Sequence, residues 1–389
     1  MSPEAQEQPA QRERLWDLAG GWRGAGIAVG IFALTRVAQL LILGWLDAAD
    51  DEPLGVRDRL LVWDGGWFLR VAVDGYPHGY TFDAAGRMEG NELAFFPVYP
   101  MLIRFVSALG IPASTAALVV SWLAAIGAAV ALHLLGTSLY GKRTGWALVA
   151  ICFSAPVAVV FSMAYSEGVF LALVAGMLAA AHRRVWWAAG LLGLAAALTR
   201  PTGAAAAVAL AVAALLAVRE SREKIWQPLG AAMLALAGVP LFLAWVGWRV
   251  GDPAAWFRIQ SAGWGTAFDF GSSTLSFLGT TLSTGDGWVP ISVAFILLAA
   301  PAAAGVALAQ RPWLPLAVYG IIAMVLVYGQ AGFYHSKPRL LVPVLLTLLP
   351  AAIAAGRARP RVAVLAISAW AAFGLWYGAY LVAVWPYTL

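Results

Sequence analysis

PASTAALVVSWLAAIGAAVALHLL, residues 112–135, runs for 24 residues without an acid, a lysine or an arginine. At the 1.5 Å rise of an α-helix, about 20 residues suffice to cross the ~30 Å hydrocarbon core of a bilayer. Comparable runs recur at 25–46, 145–163, 167–181, 186–199, 203–218, 226–248, 288–308, 313–331, 340–356 and 362–384, which makes eleven expected spans. A transmembrane barrel would show short segments of alternating hydrophobicity instead. Composition agrees with helices in lipid: 61% hydrophobic, 12% charged, mean hydropathy +0.78. The expected fold class is an all-α polytopic membrane protein, a single transmembrane domain over residues 1–389.

The net charge of +5 and the pI near 9.5 are explained by basic cytoplasmic loops rather than by a nucleic-acid partner. Cys152 is the only cysteine, so no intrachain disulfide is possible. Residues 1–23 lack the apolar centre of a signal peptide and read as a polar cytoplasmic tail, with the first span as targeting signal. With the N-terminus inside, the inner segments hold Arg12, Arg14, Arg23, Lys142, Arg143, Arg183, Arg184, Arg219, Arg222, Lys224, Arg311, Arg357, Arg359 and Arg361. Only six acids join them (Glu4, Glu7, Glu13, Asp17, Glu220 and Glu223), and every inner loop is then basic. The expected location is the plasma membrane, multi-pass, with the C-terminus outside.

Two outer segments are long, 47–111 and 249–287. Loops of this length are functional or disordered, and the aromatic content of the first argues against disorder. It contains LVWDGGWFLRVAVDGYP, residues 61–77. Residues 64–73 read as a helix with Asp64 as its N-cap, stopped by Gly75 and Pro77. On one reading Asp64 caps, Asp74 sits in a turn, and Trp63, Trp67 and Phe68 belong to the aromatic belt. On the other, the helix lies in the interface and holds a carboxylate just above the bilayer, with Gly65 and Gly66 leaving room for a ligand. A cap can also be a base. Further on, Pro97 and Pro100 of AFFPVYPMLIR permit a helix over 101–109 too short to span, re-entrant or interfacial, with Tyr99 between the two prolines before it.

Other charges sit where lipid makes them expensive. Glu167 lies at the turn between the third and fourth spans, and is a functional acid or an exposed loop residue. Arg36 lies mid-span in the first helix and should pair with a carboxylate or a lipid phosphate. LTRPTG (198–203) and HSKPR (335–339) break helices on the acidic side and set Arg200, Lys337 and Arg339 against the charge bias. Such cations are what a phosphate clamp needs, or they are ordinary external charges. His78, His133, His182 and His335 show no metal spacing, and Asp50-Asp51-Glu52 reads as an exposed acidic run.

WDGGWF…DGYP, AFFPVYPMLIR, AYSEGVF, LTRPTG and KPRLLVP occur in one order over most of the chain. Together they resemble the PIG-V family, the second mannosyltransferase of glycosylphosphatidylinositol anchor synthesis, and its bacterial homologues. The resemblance implies a GT-C glycosyltransferase with a catalytic Asp in the first outer loop, and Asp64 matches that acid. It implies a polyprenyl-phosphate-mannose donor and transfer to a hydroxyl on the non-cytoplasmic side. The Ala-, Trp- and Arg-rich, Lys-poor composition resembles that of actinobacteria, which lack the anchor, so the acceptor, a glycolipid or another glycan, is not carried over.

The chemistry follows. A lipid-phosphate sugar carries its own leaving group, so the enzyme needs a base for the acceptor hydroxyl and cations for the departing phosphate. Asp64 is the expected base. Arg200, Lys337, Arg339 and Arg36 are the expected phosphate ligands, and Trp63, Trp67, Asp74, Tyr99, Glu167 and His335 the expected substrate contacts. No cofactor or metal is expected, inversion is, and the lipid tail should lie in an apolar groove between helices. A transporter or flippase would also need buried charges, but should show inverted repeats and midplane polar sites. A GT-C enzyme using another polyprenyl-phosphate sugar is a further alternative.

Overall fold

The computed structural model describes residues 15–220 and 225–387. Arg12, Arg14, Arg222, Lys224, Glu4, Glu7, Glu13 and Glu223, and with them most of the expected tail, lie outside the described residues. The chain forms α1 (Leu15–Leu18), α2 (Gly21–Ala48), α3 (Val56–Arg59), α4 (Asp64–Asp74), α5 (Val98–Ser107), α6 (Ala113–Tyr140), α7 (Lys142–Phe153), α8 (Glu167–His182) and α9 (Trp186–Ala197). It continues through α10 (Gly203–Glu220), α11 (Trp226–Val250), α12 (Ala255–Trp264), α13 (Ser272–Thr284), α14 (Trp288–Ala309), α15 (Leu314–Gly329), α16 (Lys337–Leu341), α17 (Leu345–Arg357) and α18 (Pro360–Ala383). One antiparallel pair, β1 (Thr81–Phe82) with β2 (Met88–Glu89), lies in the long segment 47–111.

Among the described residues six helices are long and apolar enough to cross a membrane: α2, α6, α10, α11, α14 and α18. The helices Tyr334–Leu341 and Leu345–Arg357 form an apolar pair bent by 53°, a broken span or a re-entrant loop. The protein is therefore a polytopic helical membrane protein. At four of the eleven expected spans, 145–163, 167–181, 186–199 and 313–331, the helices α7, α8, α9 and α15 have only 12, 16, 12 and 16 residues.

The clearest cause is at 145–163. The apolar run is continuous, but α7 ends at Phe153, and after Ser154 and Pro156 the chain makes a 3₁₀ turn at Ala158–Phe161. Proline lacks an N–H and disfavours helix in the residue before it. The freed carbonyls are buried, so something must donate to them. Arg36 of α2 does: its guanidinium hydrogen-bonds to the carbonyl oxygen of Phe153, to Ala158 O at 2.7 Å and to Ser162 Oγ at 3.2 Å. Gly374 of α18 allows the segment to come close, since a Cβ there would fall 2.0 Å from Ser154 O.

Small residues set the spacing of the bundle elsewhere. A Cβ on Gly193 of α9 would lie 2.8 Å from the Ala235 Cβ of α11, and one on Gly238 would lie 2.5 Å from the Ala197 Cβ. Without a hydrophobic drive between helices in lipid, such close backbone approach is what holds them together.

Both long segments, 47–111 and 249–287, are folded. Phe68 and Ala72 of α4 pack with Tyr99 and Ile103 of α5 and Ala116 and Val120 of α6. The helix expected at 101–109 begins earlier, at Val98, with Pro100 accommodated in its first turn. A second cluster joins Leu93 and Phe96 to Phe242, Val246, Trp256 and Ile259, so α12 of the second segment packs on the first. The two backbones nearly touch: a Cβ on Gly90 would fall 2.6 Å from the Gly263 Cα. Arg249 Nε and Nη2 donate to Pro77 O and Tyr76 O, each at 2.7 Å, and the Tyr80 hydroxyl donates to Asp252. That hydroxyl holds the half-buried Asp252 carboxyl below its usual range.

Candidate active site

Asp64 opens α4, and the turn before it is unusual. Gly65 N–H donates to Val62 O at 3.2 Å, closing a turn whose first central residue is Trp63 at φ 59°, ψ −116°. That is the type II′ position, which glycine normally occupies. A side chain there costs of order 1–3 kcal/mol, so the surroundings must fix it. Leu60 O accepts from Ala164 N–H at 2.8 Å, and Gly65 packs on Ala164, 3.4 Å from its Cβ when a Cβ is placed on the glycine. Of the two glycines expected to make room for a ligand, Gly65 faces protein and only Gly66 lies in open surroundings.

The N-cap expectation is corrected here. Asp64 is the first helical residue, and Trp63, at the cap position, makes no side-chain cap hydrogen bond. The Asp64 carboxylate is instead engaged across the bundle: Arg339 Nη1 donates to its Oδ2 at 2.7 Å. Arg339 sits on the short α16 with its Cζ 5.0 Å from the centre of the Tyr165 ring. Its Nε lies 3.5 Å from Glu167 Oε1, and Arg200 Nη1 reaches the same oxygen at 2.6 Å. Arg200 Nη1 also donates to Ser166 Oγ at 3.2 Å.

Three distant breaks in the chain thus meet the start of α4. Glu167 begins the 16-residue α8, where the helix dipole favours an anion. Arg200 lies in the turn between α9 and α10. Arg339 belongs to the bent pair. Two carboxylates and two guanidiniums balance in charge. They differ in access: the Glu167 side chain is 2% exposed and the Asp64 side chain 24%. The exposed-loop reading of Glu167 is excluded by this burial.

Other expected site residues fall elsewhere. Lys337 is two positions from Arg339, and on a helix such neighbours point apart. Its Nζ donates to Val327 O at 2.9 Å and to Gln330 O at 2.5 Å, capping the C-terminal end of α15, so it does not join the cluster. Arg36 is likewise withdrawn, held by carbonyls where a carboxylate or phosphate was expected. Asp74 is exposed at the far end of α4. Trp67 stacks on Phe95 at 5.8 Å, with Arg70 Cζ 3.8 Å over its ring. Tyr99 is buried with its hydroxyl 2.8 Å from Ser121 Oγ, and Ser121 donates to Tyr165 O at 3.2 Å, so it supports the site from behind. His335 packs among Phe333, Tyr334 and Tyr387. Trp63 packs, half-buried, against the main core.

One feature escaped the sequence reading. Tyr165 lies beneath Arg339, in a motif where only the acid stood out. An apolar groove of about 860 Å³ runs between α7, α14, α17 and α18, and its wall includes Pro338, Leu341 and Val342, the residues around Arg339. Among the described residues no group of three or more His, Cys, Asp or Glu side chains is placed to hold a metal ion.

No family model matches the chain. Over 139 residues, 32% of this chain, it is 32% identical to GPI mannosyltransferase 2 of Drosophila pseudoobscura pseudoobscura. The aligned part makes up 27% of that protein's length. The crystal structure of the Archaeoglobus fulgidus oligosaccharyltransferase, complexed with zinc and sulfate, superposes with a TM-score of 0.45 at 15% identity, over 91% of this chain and 53% of that one.

Proposed function

We propose that the chain is a GT-C-type membrane glycosyltransferase that moves mannose from polyprenyl-phosphate-mannose to a hydroxyl of an extracytoplasmic glycolipid or glycan. Asp64 takes the proton of the attacking hydroxyl, worth about 10²–10⁴-fold. Arg339, with Arg200 behind it, neutralises the phosphate as it leaves. A single displacement at C1 inverts the configuration. Lys337 and Arg36 are not part of this clamp, because their donors are committed to main-chain oxygens.

One observation carries the reading: a partly open carboxylate lies 2.7 Å from a buried guanidinium whose sequence neighbours line an apolar groove. An acid, a cation and a place for hydrocarbon are what an anionic lipid donor requires. Similarity to a mannosyltransferase over part of the chain supports the choice of sugar. The sidedness rests on charge. Arg143 Nη2 donates to Ala358 O at 2.7 Å, and Lys142 lies beside Gly20, so Lys142, Arg143, Arg357 and Arg359 gather at one end of the bundle. Glu167 is at the other end of α8, about 24 Å away at 1.5 Å per residue. A basic end is expected in the cytoplasm, which supports a site on the outer side.

The test is transfer from radiolabelled polyprenyl-phosphate-mannose to membrane lipid extract by the purified chain in nanodiscs. Asp64→Asn is expected to lower the rate by about 10²–10⁴-fold with an unchanged melting temperature. Full activity in that variant rejects the base. Label moving only from another polyprenyl-phosphate sugar keeps the transferase and changes the donor.

A further inference from the structure

The pairing of Asp64 with Arg339 sets two functions against each other. The carboxylate that should accept a proton has Oδ2 engaged by a guanidinium at 2.7 Å. The guanidinium that should hold a phosphate has Nη1 engaged by that carboxylate. Glu167 is differently placed: it is sealed from solvent, and Arg200 holds it at 2.6 Å. Arg339 Nε, 3.5 Å from Glu167 Oε1, makes no hydrogen bond. Within this neutral group of four, Asp64 is the member that can be exchanged, because its side chain is partly open while that of Glu167 is sealed.

We propose that Asp64 and the donor phosphate are alternative partners of Arg339, so that binding of the donor is the step that frees the base. This deepens the transferase reading and rests on it for the identity of the phosphate. A phosphodiester brings a further negative charge to a balanced cluster. One of its oxygens takes Nη1 of Arg339, and the Asp64 carboxylate turns away about its two side-chain torsions. Glu167 keeps Arg339 in place during the exchange and is a positioning residue. The freed carboxylate then takes the acceptor O–H proton while the hydroxyl oxygen bonds to C1. The C1–O bond to phosphorus breaks, and its electron pair leaves on the phosphate held by Arg339. Without donor, Oδ2 of the base is occupied by Arg339.

Exchange makes an unusual demand: removing the catalytic charge should tighten binding of the ligand. The probe is polyprenyl monophosphate, which carries the lipid and the phosphate without the sugar, with inorganic phosphate as the second arm. Equilibrium binding is measured on the purified full chain in nanodiscs. Asp64→Asn is expected to bind polyprenyl monophosphate about tenfold more tightly than the unmodified protein, the worth of a charge-assisted hydrogen bond no longer in competition. Inorganic phosphate should show the same ratio at weaker absolute affinity. In an Arg339→Gln background the Asp64→Asn effect should shrink below about twofold, as a double-mutant cycle requires of a shared partner. Equal or weaker binding by Asp64→Asn overturns the proposal, because Arg339 then serves both groups at once. An undiminished tightening in the Arg339→Gln background also overturns it, because simple repulsion between carboxylate and phosphate would then be the cause. If the unmodified protein binds no polyprenyl monophosphate, the transferase reading falls and the exchange with it. If it binds and Asp64→Asn does not tighten, only the exchange falls.

Discussion

Two arginines lie inside the same bundle and are satisfied in opposite ways. Arg36 is fully buried, and its hydrogen bonds go to the main-chain oxygens of Phe153 and Ala158 and to the Ser162 hydroxyl. Arg339 is 9% exposed and faces two carboxylates, Asp64 and Glu167. Carbonyls are part of the chain and cannot leave; Arg36 therefore acts as a permanent brace across the break between α7 and the 3₁₀ turn. A carboxylate on a partly open side chain can turn away. The difference separates a cation that shapes the fold from one available to a ligand, although both look alike as charges in apolar sequence.

Substitutions should split the pair along this line. Arg339→Gln should lower transfer by about 10²-fold or more per folded molecule, the usual loss when a donor to developing charge is removed. Arg36→Met should leave transfer per folded molecule unchanged but destabilise the protein by roughly 2–5 kcal/mol, because at least two buried carbonyls lose their donor. Melting in detergent alongside rate per folded protein separates these outcomes; a catalytic loss in Arg36→Met at full stability would erase the distinction. A smaller effect concerns the outer loops. The Asp252 carboxyl is held low by the Tyr80 hydroxyl. Its share of loop docking is then present above the free carboxylate value of about 3.9 and is lost as pH falls through the depressed value. Hydrogen exchange across residues 76–82 should quicken in that acid window, and Tyr80→Phe should weaken the pH dependence, with Arg258 and the Ala254 N–H still holding the carboxylate.

The long spans were legible because length and composition alone define them: the run at 112–135 makes up most of α6. The break inside 145–163 was not. Membrane helices tolerate proline, so Pro156 alone does not predict a stop, and the side chain that satisfies the break stands in another helix. The site was legible in part. Glu167 and Arg200 stood out as charges where charges are costly, and they meet. Arg339 and Lys337 carried the same signal, and only geometry separates them, since residues two apart on a helix face different neighbours. The 2.7 Å contact of Asp64 with Arg339 joins positions 275 apart in sequence, and no local pattern encodes such a pairing.

The contact between Gly90 and Gly263 joins the two outer loops where neither carries a side chain. A methyl group at either position would need volume that the facing main chain occupies, and would pry both loops apart together. Across homologous chains, then, the two sites should change in concert or not at all, as one inherited hinge pin instead of two independent letters.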